Sequence, residues 1–219
     1  MVSYMEQKLG EIKKPKVAVF LDARKLFCLP LIPSIKMEEG SKDLRNSSDL
    51  FWREAGKQID DLERAGRVSY VFYESVTKDG EAGLEMVKQI SEQSYSIVKE
   101  KLGQGAKLVI IEDEEVLGEF VDWSICLSVV RKSQKVLNKI LEFHRDASKR
   151  RCEGNAKTID DTLKNGEAAL LVMTEENRMQ IQSYLPSDIE VFLIHPPALN
   201  DFQRFFRDYW KNQINKTQG

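Results

Sequence analysis

Short runs of β-branched and aromatic residues, each followed by a longer stretch with apolar residues at helical spacing, leave this chain few architectures. Five such runs occur: Lys16 to Asp22, Arg67 to Thr77, Ala106 to Ile111, Glu167 to Met173 and Ile189 to His195. Ser48 or Asp49 is placed to cap a helix that ends at Ala65-Gly66. Helical spacing then covers a segment from Gly80 to about Leu102, two more from Val116 to about Ala147 and Lys149 to Lys164, and a fourth from Glu175 to Leu185. A C-terminal amphipathic helix begins at Asn200 or Asp201. Arg24 to Ser48 holds Pro30, Pro33, Gly40 and paired serines, which predicts a loop. Strands alternating with helices of this length predict parallel sheets covered by helices. The helical stretch 116–164 separates three strands from two. The expected fold is therefore α/β, with two α/β/α sandwich-like domains of mainly parallel sheet, residues 1–130 and 131–219, joined by long helices. One continuous five-strand sheet is the rival arrangement.

Composition narrows the function classes. Apolar residues make up 42% of the 219, enough for a packed core. The 33 basic and 35 acidic residues leave a formal charge of -2, which argues against a whole-chain electrostatic grip on nucleic acid or an anionic membrane. Cys28, Cys126 and Cys152 stand far apart without a Cys-x-x-Cys pair, which fits a reducing compartment rather than a disulfide framework. Met1 to Lys16 has no apolar core of a signal peptide, and no apolar run reaches membrane-spanning length, so a cytoplasmic protein without membrane contact is expected.

Nucleotide fingerprints are missing. Gly103-Gln104-Gly105 precedes a strand, whereas a phosphate cradle needs glycines between a strand and a helix. The two histidines, His144 and His195, have no accompanying nucleophile motif. Carboxylates offer more. Asp22 closes the first apolar run, and Glu112 with Asp113 closes the third; strand ends are where ligands gather in open α/β sheets. Oxygen ligands of this kind suit Mg²⁺ or Mn²⁺. The run Val17-Ala18-Val19-Phe20-Leu21-Asp22-Ala23-Arg24 resembles the first strand of nuclease domains of the PIN and NYN group. That resemblance implies a metal-dependent nuclease using Asp22, Glu112 and Asp113, with Asp22 and Asp113 on the metal. Under the other readings no cofactor is expected, and the carboxylates cap turns and a helix N-terminus.

Arg131 to Lys157 carries nine basic residues against three acidic ones. Arg145, Lys149, Arg150, Arg151 and Lys157 make this a candidate RNA-binding stripe, with a solvated helix face as the plainer alternative. On the last helix Phe202, Phe205, Phe206 and Tyr209 share one face that predicts core packing. Trp210 falls beside that face and is a candidate anchor for a partner, a second copy included.

The segment Ala156-Lys157-Thr158-Ile159-Asp160-Asp161-Thr162-Leu163-Lys164-Asn165-Gly166-Glu167-Ala168-Ala169-Leu170-Leu171 reads as a helix, a glycine turn and a strand. It is similar to the C-terminal L7Ae/L30e-like domain of archaeal and eukaryotic peptide-chain release factors and Pelota. It also resembles uncharacterised prokaryotic proteins with an IDETLKEGE-like signature, which Leu185-Pro186-Ser187-Asp188-Ile189-Glu190-Val191 extends. The resemblance implies an accessory protein that contacts the ribosome or structured RNA. No Gly-Gly-Gln tripeptide is present, so peptidyl-tRNA hydrolysis is not expected, and the L7Ae RNA-contacting turn is not evident.

Overall fold

In the computed structural model, which describes residues 22–34, 41–130 and 132–217 and side chains as far as residue 214, five strands form a single sheet. They are β1 (Arg24–Pro30), β2 (Val68–Tyr73), β3 (Lys107–Val109), β4 (Ala168–Met173) and β5 (Ile189–Leu193), in the order β3-β2-β4-β1-β5. Every pairing is parallel. The expected α/β class is present, but the boundary at residues 130 and 131 does not separate two sheets. β1 lies between β4 and β5 and bonds to both, so the two halves of the chain share one sheet.

Seven α-helices cover it: α1 (Lys42–Leu62), α2 (Gly80–Ile90), α3 (Glu92–Gly103), α4 (Glu114–Val129), α5 (Gln134–Thr162), α6 (Glu175–Gln182) and α7 (Ala198–Thr217). Alternate strand residues face opposite layers. Phe27, Leu29, Val71, Tyr73, Leu170 and Val172 pack under α1, α2, α3 and α7. Leu26, Cys28, Phe72, Ala169, Leu171 and Met173 pack under α5 and α6. Connections towards the β3 edge thus run over one face and connections back run over the other, as one crossover hand requires.

The first strand departs from the sequence reading. Residues 16–21 lie outside the described residues, and Asp22 occupies a bend before β1. β1 itself falls inside the segment read as loop. Its two leading cations disguised it, yet both are buried, and Lys25 satisfies its ammonium on the Ala23 and Gly166 carbonyls. Pro30 stands at the strand's last position, where one missing donor is tolerated. The next helix begins at Ser41, whose side chain accepts from the Leu44 amide, earlier than Ser48. Ser91 splits the expected 80–102 helix, its extended backbone ending α2 while its hydroxyl caps α3.

The long helices are separate between Val129 and Gln134 and not near 148. Ser133 caps α5 through the Val136 amide, and α5 then runs unbroken for 29 residues. Asn165-Gly166 turns the chain into β4 as the sequence predicts, with Gly166 at φ 80° where a side chain would be strained. Among the described residues no helix is long and apolar enough to cross a membrane.

Candidate functional site

β2 and β4 are neighbours whose outgoing chains leave in opposite directions over opposite faces, the arrangement that opens a crevice at the carboxyl end of a parallel sheet. In this protein a side chain fills it. Glu74, the residue after β2, is buried, and one of its oxygens accepts the Thr174 amide at 2.6 Å. The other accepts the Thr174 hydroxyl at 3.3 Å and the Asn177 side-chain amide. Thr174 is the N-cap of α6, so the carboxylate also meets the positive end of that helix.

Arg151 of α5 completes a buried cluster. Its Nε donates to Glu112 at 2.8 Å, a second nitrogen donates to the other Glu112 oxygen, and the same nitrogen reaches Glu74 at 3.3 Å. Its guanidinium lies 4.9 Å over the Phe120 ring. Burial alone would lower the Arg151 pKa. The Glu112 hydrogen bond and the two carboxylate charges outweigh it and hold the group above its ordinary value. Two carboxylates against one guanidinium leave an excess negative charge. The Thr174, Asn177 and Ser75 donors absorb it, the Ser75 amide reaching Glu112 at 3.1 Å from a left-handed backbone at φ 63°.

With the crevice plugged, the open space moves outward, between the end of β3, the first turn of α4 and α5. This cleft has a volume of about 440 Å³ and is walled by Ile110, Ile111, Val116, Asn155 and the rim of the ion cluster. Asn155 is 1% exposed, and its side-chain Nδ2 has no hydrogen-bond partner. A buried, unmade donor costs about 1–3 kcal/mol. Beside it Gly154 opens onto empty space, with no atom within 4 Å of where a Cβ would stand. Arg150 and Arg151 each pair with two carboxylates through Nε and one terminal nitrogen. The cleft therefore combines the apolar side chains of Ile110, Ile111 and Val116 with a paired, charge-balanced rim, and the buried Asn155 amide lies in its wall.

The carboxylates read as a metal site do not converge. Asp22 precedes the amino end of β1, where its carbonyl accepts the Gly166 amide, while Glu112 and Asp113 follow the carboxyl end of β3. In a parallel sheet the length of a strand, roughly 20 Å here, separates such positions. Glu112 is spent on Arg151, and Asp113 is the N-cap of α4, accepting the Glu115 and Val116 amides. Among the described residues no group of three histidine, cysteine or acidic side chains could hold a metal ion. These residues do not fit Mg²⁺ or Mn²⁺, and no metal-dependent step follows from them.

The basic stripe is interleaved with acids. Arg151 is buried and cannot meet a phosphate at the surface. Lys149 pairs with Glu153, Arg150 with Glu119 and Asp146, and Lys157 with Asp161. Arg145 is exposed beside a second hollow lined by His144, Ser148, Cys152 and Tyr184. On α7, Phe202 is buried and Phe205, Phe206 and Tyr209 pack against the same core, while Trp210 remains half exposed.

Poised nucleophiles are not found in these surroundings. Burial pushes the Cys28 thiol up to about 12 and raises Cys152 as well. His144 Nε2 lies 3.2 Å from the Ser124 hydroxyl, but that hydroxyl donates to the Phe120 carbonyl at 2.8 Å. The histidine can then only donate to Ser124, the reverse of what a general base needs.

Compared with protein-family models, curated proteins and solved structures, the chain finds no match. The site is thus read from its own geometry. Sequence reasoning named Glu112 and Arg151 but gave them different tasks, and it missed Glu74 and Asn155. Glu74 lies inside the run read as the second strand, Arg67 to Thr77, and a lone carboxylate within that apolar run was its available signal. Asn155 left none, because its missing partner is a property of the folded state.

Proposed function

We propose that this protein binds an uncharged small molecule in the cleft between the end of β3, α4 and α5, with Asn155 Nδ2 donating to a carbonyl or ring nitrogen of the ligand. The observation that carries this reading is a 1% exposed amide left without a partner in the wall of a 440 Å³ cleft. The apolar side chains Ile110, Ile111 and Val116 favour a ligand with an apolar body. The carboxylates paired to each nearby arginine disfavour an anion.

Binding of this kind retains the expectation of a binding protein but moves it from RNA to a small ligand. The carboxylates paired along α5 weaken the local field that would draw a phosphate backbone. Contact with a ribosome through the release-factor-like segment would need a surface other than the one Arg151 was expected to supply.

The test compares wild type with Asn155→Leu, close in shape and without the donor. Removing an unsatisfied buried group is expected to raise stability by about 1–3 kcal/mol in urea melts. A panel of neutral nucleosides and simple lactams is expected to raise the melting temperature of the wild type and not of the variant. Loss of stability in Asn155→Leu would mean that the amide is already satisfied, and the reading would fail. A panel that shifts both proteins equally would place binding elsewhere.

A further inference from the structure

Helix α4 is apolar on two sides. Its inner side packs on α5, with Phe120 5.0 Å from His144 and Trp123 stacked 4.8 Å from Phe143. Its outer side carries Gly118, Val121, Ile125 and Val129, spaced three, four and four residues apart, which is one stripe of a helix with exposed Asp122 at its margin. Val121 is 44% exposed, Ile125 55% and Val129 65%, and no residue of α4 is buried. A helix apolar on both sides belongs between two neighbours. Among the described elements, α5 is the only one that packs against it extensively.

We infer that the outer stripe of α4 pairs with the same stripe of a second copy of this chain, antiparallel about a two-fold axis between Val121 and Ile125. The charges at the two ends of the stripe select this occupant and this direction, while Asp122, exposed beside the axis, faces its own copy and holds the association weak. Glu114 and Glu115 open the helix, and Lys132 follows its end. None of the three makes an ion pair among the described residues. In the antiparallel pair, Glu114 and Glu115 of each copy come level with Lys132 of the other, and the match occurs twice, as an isologous contact demands. Val121 then packs against Ile125 of the second copy. Gly118, with open space above it, faces Val129, so a small residue meets a large one and the axes can close to helix-packing distance. A parallel pair would instead set Glu114 and Glu115 against their own copies. One sixteen-residue helix pair buries less than the roughly 800 Å² per partner of a standard interface, so association in the micromolar range is expected.

Sedimentation velocity on the full chain from about 1 to about 200 µM is the test, because mass action moves the population across such a range. Wild type is expected to pass from monomer to dimer. Ile125→Glu is expected to stay monomeric at every concentration with an unchanged circular dichroism spectrum. Two charge variants decide the direction. Lys132→Glu alone and the double substitution Glu114→Lys, Glu115→Lys alone are each expected to weaken self-association at least tenfold. Mixed together, they are expected to form a heterodimer. A wild type that remains monomeric at the highest concentration overturns the inference, as does a dimer that survives Ile125→Glu. An Ile125→Glu monomer that also melts earlier than a monomeric wild type would show the stripe covered by the chain's own residues 1–21, and would overturn it too.

Discussion

Two arginines sit at opposite ends of the sheet, and each is bracketed by two carboxylates. Arg24, at the amino end of β1, makes a two-pronged contact with Asp188 at 2.9 and 2.8 Å and reaches Asp160 at 2.6 Å. Arg151, at the carboxyl end, holds Glu112 in the same two-pronged way and touches Glu74. The contacts look alike, but the surroundings differ. The Asp160 and Asp188 side chains are 42% and 62% exposed, against 7% and 0% for Glu74 and Glu112. A carboxylate that loses its partner at the amino end regains water. One that loses it at the carboxyl end has no water to take the partner's place. The amino-end cluster therefore works as a clasp, and the carboxyl-end cluster as a rigid plug that holds the cleft in shape.

Arg151→Met should break the comparison most visibly. Leaving Glu74 and Glu112 buried without their cation is expected to cost about 3–5 kcal/mol in urea unfolding at neutral pH. Adding Glu112→Leu to Arg151→Met sharpens the point, since it removes one stranded charge, and the double variant is expected to be more stable than the single one. A single variant that loses less than about 1 kcal/mol would mean that water reaches the cluster. Arg24→Met is the matched experiment at the other end. There the exposed acids rehydrate, and the remaining loss is that of the hydrogen bonds from Arg24 to the Asp160 and Leu163 carbonyls in the last turn of α5. About 1–2 kcal/mol is expected. Equal losses in the two variants would erase the distinction between clasp and plug.

The same contrast governs what could be read from the sequence. The parallel α/β class was legible, because Val68 to Tyr73 and Ala168 to Met173 are short apolar runs bounded by turn residues. The position of β1 was not. Arg24 and Lys25 look like loop residues until Asp160, Asp188 and the Gly166 carbonyl are brought to them from more than 130 residues away. That long-range pairing is also what puts β1 between β4 and β5 and unites the two halves. At the carboxyl end, Arg151 reads as one more cation of a basic stripe. Only the fold turns it inward against Glu112, at a separation of 39 residues. The double apolar character of α4 was written in its composition. Which of its faces would remain uncovered depended on where α5 began, and Ser133 decides that.

A smaller effect tests the clasp directly. Hydrogen bonding to the Arg24 guanidinium holds the Asp188 carboxyl below its ordinary value of 3.8. A carboxylate depressed in the folded state stabilises the fold above its unfolded pKa and loses that contribution as the pH falls through its folded value. Carbon-detected NMR titration of the Asp188 carboxyl should therefore give a midpoint below 3.8 in the wild type and an ordinary one in Arg24→Met. Between neutral pH and the acid limit, the stability gap between the two proteins should narrow as the wild-type carboxyl takes up its proton. If the midpoint stayed put when Arg24 was removed, the two-pronged contact would exert no hold on Asp188 in solution. The amino end of the sheet would then be fastened by the α5 carbonyls alone.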